Sequence, residues 1–192
     1  CFRSGHRALG HMPDKAAHRI EVLFSAKAVA ERVDTIAREI AAIGLDNPLV
    51  VSILTGSFVF AADLLRALNR SGLAPEVDFL TLSSYQRGTR SLGQVDILRD
   101  VSVDVTGRNI ILIDDILDSG RTLAFAKDLL SARGARSVTT CVLLDKDIPR
   151  TVSVASDFAA FRCPDVFVVG YGMDIAHRYR ELPFVGRVVT GD

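Results

Sequence analysis

From Ser25 to Ile43 the apolar residues Val29, Val33, Ile36, Ile40 and Ile43 recur at steps of three and four. That spacing predicts a helix with one buried stripe, opened by Ser25 as N-cap and closed by Gly44. Pro48 then introduces Leu49-Val50-Val51-Ser52-Ile53-Leu54, a β-branched run typical of a buried strand. A turn at Thr55-Gly56-Ser57 leads into a second helix over about Phe58 to Asn69, and Val77 to Ser83 reads as the next strand. The segment Ser84 to Gly93 is polar, contains Gly88 and Gly93 and lacks periodicity, so it reads as a mobile loop. Val95, Ile97 and Val101 alternate with polar neighbours, as in a half-exposed strand. Asn109 to Ile113 is an apolar strand that ends at two aspartates, Thr122 to Ala132 a helix, and Val138 to Leu144 and Val166 to Val169 are strands. Strand–helix alternation of this kind predicts an α/β fold with a parallel sheet covered on both faces. Ligands of such folds bind at the carboxyl ends of the strands, where the polar residues of interest lie.

The chain has 192 residues, enough for one domain with a substantial core and too few for two. Lys plus Arg and Asp plus Glu both number 23, so the formal net charge is zero. That balance argues against a nucleic-acid binder, which normally shows a surplus of Lys and Arg. The three cysteines, Cys1, Cys141 and Cys163, form no CxxC pair, and Cys141 lies in an apolar run as a small buried hydrophobe would. A reduced, cytoplasmic setting is the inference. No stretch approaches the ~18 apolar residues that span a bilayer, and the first residues lack the apolar core of a signal peptide. Gly10-His11-Met12 reads as a cloning junction, so residues 1–12 carry no argument and residues 13–192 are expected to form a single domain.

The informative stretch is Ile110-Ile111-Leu112-Ile113-Asp114-Asp115-Ile116-Leu117-Asp118-Ser119-Gly120-Arg121-Thr122. A buried strand delivers two adjacent carboxylates, a short turn of small and polar residues follows, and a helix begins. Backbone N–H groups of such a turn, joined to a helix N-terminus, make an anion cradle. Gly120 lets the backbone approach closely, Ser119 and Thr122 add hydroxyl donors, and a phosphate is the natural guest. Asp114 and Asp115 suit vicinal ribose hydroxyls, held directly or through Mg²⁺. The plainer alternative is that the acids merely end a strand and that Asp118 N-caps the next helix. No Walker loop is present.

This stretch resembles the phosphoribosyl-pyrophosphate motif of type I phosphoribosyltransferases, and the chain from Glu21 to Gly186 resembles their hypoxanthine-guanine branch. The resemblance implies that family's fold, a twisted, mainly parallel sheet with helices on both faces plus a small base-binding hood. It implies that Asp114 and Asp115 bind the ribose hydroxyls, that Asp118 faces N7 of the purine, and that Asp118, Ser119, Gly120, Arg121 and Thr122 wrap the 5′-phosphate. The family commonly has Asp-Thr-Gly-Lys-Thr where this chain has Asp-Ser-Gly-Arg-Thr, and both changes keep the hydroxyl and the charge.

Other motifs agree. Lys146 follows a strand in Leu143-Leu144-Asp145-Lys146; by resemblance it donates to O6 of the base, although a single Lys is more often a solvated surface residue. In Phe167-Val168-Val169-Gly170-Tyr171-Gly172-Met173-Asp174 the resemblance makes Phe167 the ring that stacks on the purine. Val168 reads the base edge through its backbone, and Asp174 takes a Mg²⁺-linked role. Arg180 resembles the arginine that contacts pyrophosphate, and Thr55, Gly56 and Ser57 match a loop that presents backbone N–H groups to it, with a peptide before Thr55 that can be cis in the family. Thr55 stands where Lys is common, which leaves the backbone role intact. Ser84 and Tyr85 resemble the start of a lid.

The implied activity is transfer of a phosphoribosyl group from phosphoribosyl pyrophosphate to a 6-oxopurine, with Mg²⁺ as cofactor, by a homodimer or homotetramer with no nucleic-acid or membrane partner. Two other readings stand beside it: the same fold acting on xanthine or a pyrimidine, and a regulatory module that retains the phosphoribosyl site.

Overall fold

The computed structural model describes residues 19–84, 95–150 and 152–189. Its core is a six-stranded sheet in the order β4-β3-β2-β5-β6-β7, formed by β2 (Pro48–Leu54), β3 (Glu76–Ser84), β4 (Val95–Arg99), β5 (Asn109–Leu117), β6 (Ser137–Lys146) and β7 (Phe158–Cys163). All neighbours are parallel except β3 and β4. A smaller three-stranded sheet joins β1 (Arg19–Phe24), β9 (Val185–Val189) and β8 (Val168–Val169) in antiparallel pairs.

The helices follow from the sequence pattern. In α1 (Ala26–Ala41) the Ser25 hydroxyl accepts from the Ala28 N–H at 3.2 Å, and Val29, Val33, Ile36, Ala37 and Ile40 are buried. Gly44, at φ 73°, takes the left-handed conformation that lets the chain leave the helix. α2 (Phe58–Arg70) buries Phe60, Ala61, Leu64, Ala67 and Leu68, and packs with α1 on one face of the sheet, against Val50, Ile111, Ile113, Cys141 and Leu143. α3 (Arg121–Ala132) covers the other face with Leu123, Ala126 and Leu130, against Leu49, Val51, Ile53, Ile110, Leu112 and Val142. Alternate residues of β2 and β5 thus feed opposite cores, which is why both strands read as continuous apolar runs. Each fully buried Leu or Ile stabilises the fold by about 1.5–3 kcal/mol, so the sheet is a firm base for the loops at its carboxyl edge.

Several expectations need correction. β5 does not end at Ile113: it runs through Asp114 and Asp115 to Leu117, because β6 extends alongside it to Lys146 and pairs with it as far as Leu117↔Asp145. The plainer alternative for Asp118, a cap of α3, is also set aside: Gly120 occupies the cap position, at φ 84°. The strand expected over 166–169 shrinks to Val168–Val169 and belongs to the small sheet. β4 stops at Arg99, short of Val101, and leaves both Ile97 and Leu98 exposed. The hood has a physical basis in the small sheet, whose strands β1 and β9 the sequence pattern had not indicated, and β7 was likewise unanticipated. Tyr85 and most of the expected lid, like residues 1–12, lie outside the described residues.

Candidate active site

Four chain segments converge at the carboxyl edge of the sheet, around a cleft of about 480 Å³. β2 ends at the turn Thr55–Ser57, β5 brings Asp115, Ile116 and Asp118, β6 brings Lys146, and the segment from Phe167 to Arg180 closes the far side. A larger cavity of about 630 Å³ lies between α1, α2, Tyr171 and residues 180–183, and Arg180 is the residue it shares with the cleft.

The acid pair sits where the strand leaves the core. Asp114 is buried, and its carboxylate accepts the Asp115 N–H at 3.0 Å. Burial, and then the neighbouring Asp115 charge, push its carboxyl well above the usual range. Asp115 is raised by burial as well, against the opposing pull of hydrogen bonds and Arg180. Gly56 lies directly opposite it: a Cβ there would lie 1.6 Å from Asp115 Oδ2 and would displace the carboxylate. The turn that holds Gly56 begins with a cis peptide between Leu54 and Thr55. It is fastened beneath by Ser57, whose buried hydroxyl lies 2.7 Å from that of Ser52. The Thr55 and Gly56 backbone is thereby presented to the cleft beside the acids.

Beyond the acids the chain forms a recess of about 40 Å³ lined by Ile116 to Gly120, Thr122 and Leu123. The first-turn amides of α3 open here, with the positive end of the helix dipole. Val154 packs on the turn from outside, so that a Cβ at Gly120 would meet its Cγ1 at 2.6 Å. Arg121 and Ser119 flank the recess, their backbone N–H and hydroxyl 3.5 Å apart.

At the other end, Lys146 is nearly buried and places its ammonium 3.7 Å from Asp118 and 3.4 Å from Asp165. Asp118 itself is half exposed. Phe167 is 56% exposed, an unusual position for a large aromatic ring, while Val168 beneath it is buried in the small sheet. Arg180 pairs with Asp174 at 2.7 Å and donates to the Gly172 carbonyl at 2.6 Å, and Asp174 also accepts the His177 N–H at 2.7 Å.

The structure thus gathers Thr55, Gly56, Asp115, Asp118, Lys146, Phe167, Val168, Asp174 and Arg180 around one cleft, with Asp114 directly behind Asp115. Ser119, Gly120 and Thr122 form the adjoining recess. Ser84 ends β3 at the same edge. Leu54, Thr81, Leu82, Leu98, Ile116 and Met173 line the cleft too and were missed; none carries a sequence signal that separates it from an ordinary strand or core residue. Asp165 was missed for the same reason, as one more surface acid.

The donor set suits a hard cation shared with a substrate. Among the described residues no three His, Cys, Asp or Glu side chains form a metal cage. The cleft lining nevertheless carries three carboxylates, Asp115, Asp118 and Asp174, against two cations, Lys146 and Arg180. A polyanionic guest enters such a cleft with a cation of its own. Mg²⁺ behaves in that way, taking one or two carboxylates, several waters and substrate phosphates.

A parallel sheet whose central strand delivers an acid pair to a helix-capped anion recess, opposite a second turn of exposed amides, defines a sugar-phosphate-binding α/β protein. The family model of the phosphoribosyl transferase domain matches residues 20–176. Hypoxanthine phosphoribosyltransferase from Escherichia coli K12 is 40% identical over 178 residues, 91% of this chain and 98% of that protein. A crystal structure of a hypoxanthine-guanine phosphoribosyltransferase from Bacillus anthracis superposes with a TM-score of 0.82 at 38% identity, covering 90% of this chain and all of the other. Trypanosoma cruzi hypoxanthine phosphoribosyl transferase gives 0.83 at 33% identity, over 92% and 95%. The chain belongs to the phosphoribosyltransferase family.

Proposed function

We propose that this protein serves purine salvage by transferring the 5-phosphoribosyl group of phosphoribosyl pyrophosphate to hypoxanthine or guanine, with release of pyrophosphate. The observation that carries the proposal is the opening of Lys146, Phe167 and Asp118 into the same cleft as Asp115 and the Thr55–Gly56 turn. The relatives at 40% and 38% identity are named for hypoxanthine and for hypoxanthine and guanine, which supports the 6-oxopurine reading.

The residues divide the work along the cleft. The amides and hydroxyls of residues 118–122 bind the 5′-phosphate, and Asp114 and Asp115 hold the ribose hydroxyls, which fixes C1 between base and leaving group. Phe167 offers its exposed face to the purine ring, the Val168 backbone meets the base edge, and Lys146 donates to O6. N9 attacks C1, the bond from C1 to the pyrophosphate oxygen breaks, and Asp118 accepts the proton leaving N7. Arg180 and the Thr55–Gly56–Ser57 amides face the oxygen on which negative charge builds. Asp114, Asp115 and Asp174 are the groups that would hold Mg²⁺, which supplies charge neutralisation on the leaving pyrophosphate. Ser84 and Tyr85 begin the segment assigned to excluding water.

A single domain over 13–192 with its hood, acting in the cytoplasm as a homodimer or homotetramer, completes the proposal. The cytoplasmic setting is supported by the free, buried Cys141 and Cys163. Among the described residues no helix is long and apolar enough to cross a membrane.

Steady-state kinetics with hypoxanthine, guanine, xanthine, adenine and uracil test the base assignment. Hypoxanthine or guanine should be the best substrate, and adenine poor because its 6-amino group cannot accept the Lys146 bond. A preference for adenine or uracil would overturn the assignment. Lys146→Ala should raise KM for the purine roughly tenfold or more, since hydrogen bonds to charged groups contribute about 1.5–3 kcal/mol. KM for phosphoribosyl pyrophosphate should change less, and equal effects on both would move Lys146 to another role.

A further inference from the structure

Two groups that the reaction above leaves unused are joined across the fold. The Tyr171 hydroxyl donates to Asp63 Oδ2 at 2.5 Å, linking residues 108 apart in sequence. Tyr171 is 5% exposed. Burial, and then the hydrogen bond to Asp63, raise its phenol far above the ordinary value, so it remains a donor throughout the neutral range.

The two ends of this bond belong to the two halves of the pyrophosphate end. Asp63 lies on α2, whose first turn follows directly from Thr55-Gly56-Ser57, and it is held from the side by Arg66. Tyr171 opens the loop that carries Asp174 and Arg180. Its N–H donates to the Leu182 carbonyl at 2.8 Å, and the Gly172 N–H donates to that of Arg180 at 3.0 Å. Arg180 returns a bond to the Gly172 carbonyl at 2.6 Å. The loop rests on the turn itself: a Cβ at Gly172 would lie 2.4 Å from the Gly56 carbonyl oxygen. It is also a strained loop, with Tyr171, Ala176, His177 and Tyr179 all at positive φ between 50° and 75°. Such conformations persist only where surrounding contacts hold them.

We infer that the Tyr171–Asp63 hydrogen bond is a clamp that sets the distance between the Thr55–Ser57 turn and Arg180, making both residues positioning residues for the pyrophosphate group. The inference rests on the reaction proposed above. It predicts an effect confined to one end of the cleft, because Lys146 is carried by β6 and the Phe167 carbonyl is anchored to β9 by the Val188 N–H at 2.9 Å.

The test is Tyr171→Phe, which keeps the buried ring and removes only the hydroxyl. KM for phosphoribosyl pyrophosphate, and for pyrophosphate in the reverse reaction, should rise about three- to tenfold, less than the full effect of losing a hydrogen bond to a charged group because the clamp acts on pyrophosphate only through the turn and Arg180. KM for the purine should stay within about twofold. Asp63→Asn keeps a carbonyl acceptor and should stay near the wild type, while Asp63→Leu should reproduce the Tyr171→Phe change. Equal rises in KM for both substrates, or unchanged kinetics in Tyr171→Phe and Asp63→Leu, would overturn the clamp. Failure of the wild type to turn over any purine would instead overturn the reaction. Calorimetric titration of the same variants with Mg²⁺ and pyrophosphate then still reads the clamp, which predicts weaker binding in Tyr171→Phe and is contradicted by unchanged binding.

Discussion

Asp118→Asn should lower kcat by about 10²–10⁴-fold, the usual contribution of a general acid–base group, and leave a well-folded protein. The structure separates this outcome from a structural one. Asp118 is half exposed, caps no helix, and has Lys146 at 3.7 Å as its ion-pair partner. Asn matches its shape but cannot take a proton from N7. Phosphoribosyl pyrophosphate should bind almost as before, since the recess amides, Asp114 and Asp115 remain. Turnover by the variant and calorimetric titration with phosphoribosyl pyrophosphate check both halves. Near-normal kcat would remove Asp118 from the chemistry, and loss of binding together with a lowered Tm would make it a structural residue.

Excess chelator should abolish turnover, and added Mg²⁺ should restore it. The argument is one of charge. Arg180 shares its guanidinium with Asp174 at 2.7 Å, so it can offer the leaving group hydrogen bonds but, as a pair with Asp174, little net positive charge. Asp115 lies beside the Gly56 backbone where pyrophosphate is to sit, its ionisation already opposed by burial. A pyrophosphate brought there without a cation meets carboxylates at close range and low dielectric, where repulsion is poorly screened. Full turnover in excess chelator would contradict the charge balance read from the cleft.

The fold was legible where one physical signal dominates. Ser25 with the stripe Val29, Val33, Ile36 and Ile40 located α1 because cap and period agree. β2 was legible because both of its faces are buried. β5 was placed but cut short: Asp114 and Asp115 look like the end of a core strand, yet backbone pairing depends on the neighbour, and β6 continues beside them. β7, Phe158-Ala-Ala-Phe-Arg-Cys163, lacks the β-branched run that marked the others and forms by pairing with β6. β1 and β9 meet from opposite ends of the chain, so neither announces the other locally.

The site divides in the same way. Residues 110–122 are contiguous, and strand, acids, small-residue turn and helix could be read as one phosphate site from chemistry alone. Lys146 stands at the end of β6, and Phe167, Asp174 and Arg180 are single residues spaced along another segment, so only the family resemblance drew them together. Tyr171 and Asp63 carried no signal at all, since a buried phenol and a helix acid are ordinary until their 2.5 Å bond is seen.

The central claim is transfer of a phosphoribosyl group to a 6-oxopurine in the cleft between Asp115, Lys146 and Phe167. Its most direct test is to incubate the protein with phosphoribosyl pyrophosphate, Mg²⁺ and hypoxanthine and to quantify nucleotide and pyrophosphate together. The account predicts inosine monophosphate and pyrophosphate in equal amounts, rising in step with hypoxanthine consumed. Binding of phosphoribosyl pyrophosphate with no nucleotide formed from hypoxanthine or guanine would contradict it, and would make the chain a regulatory module that has kept the phosphoribosyl site.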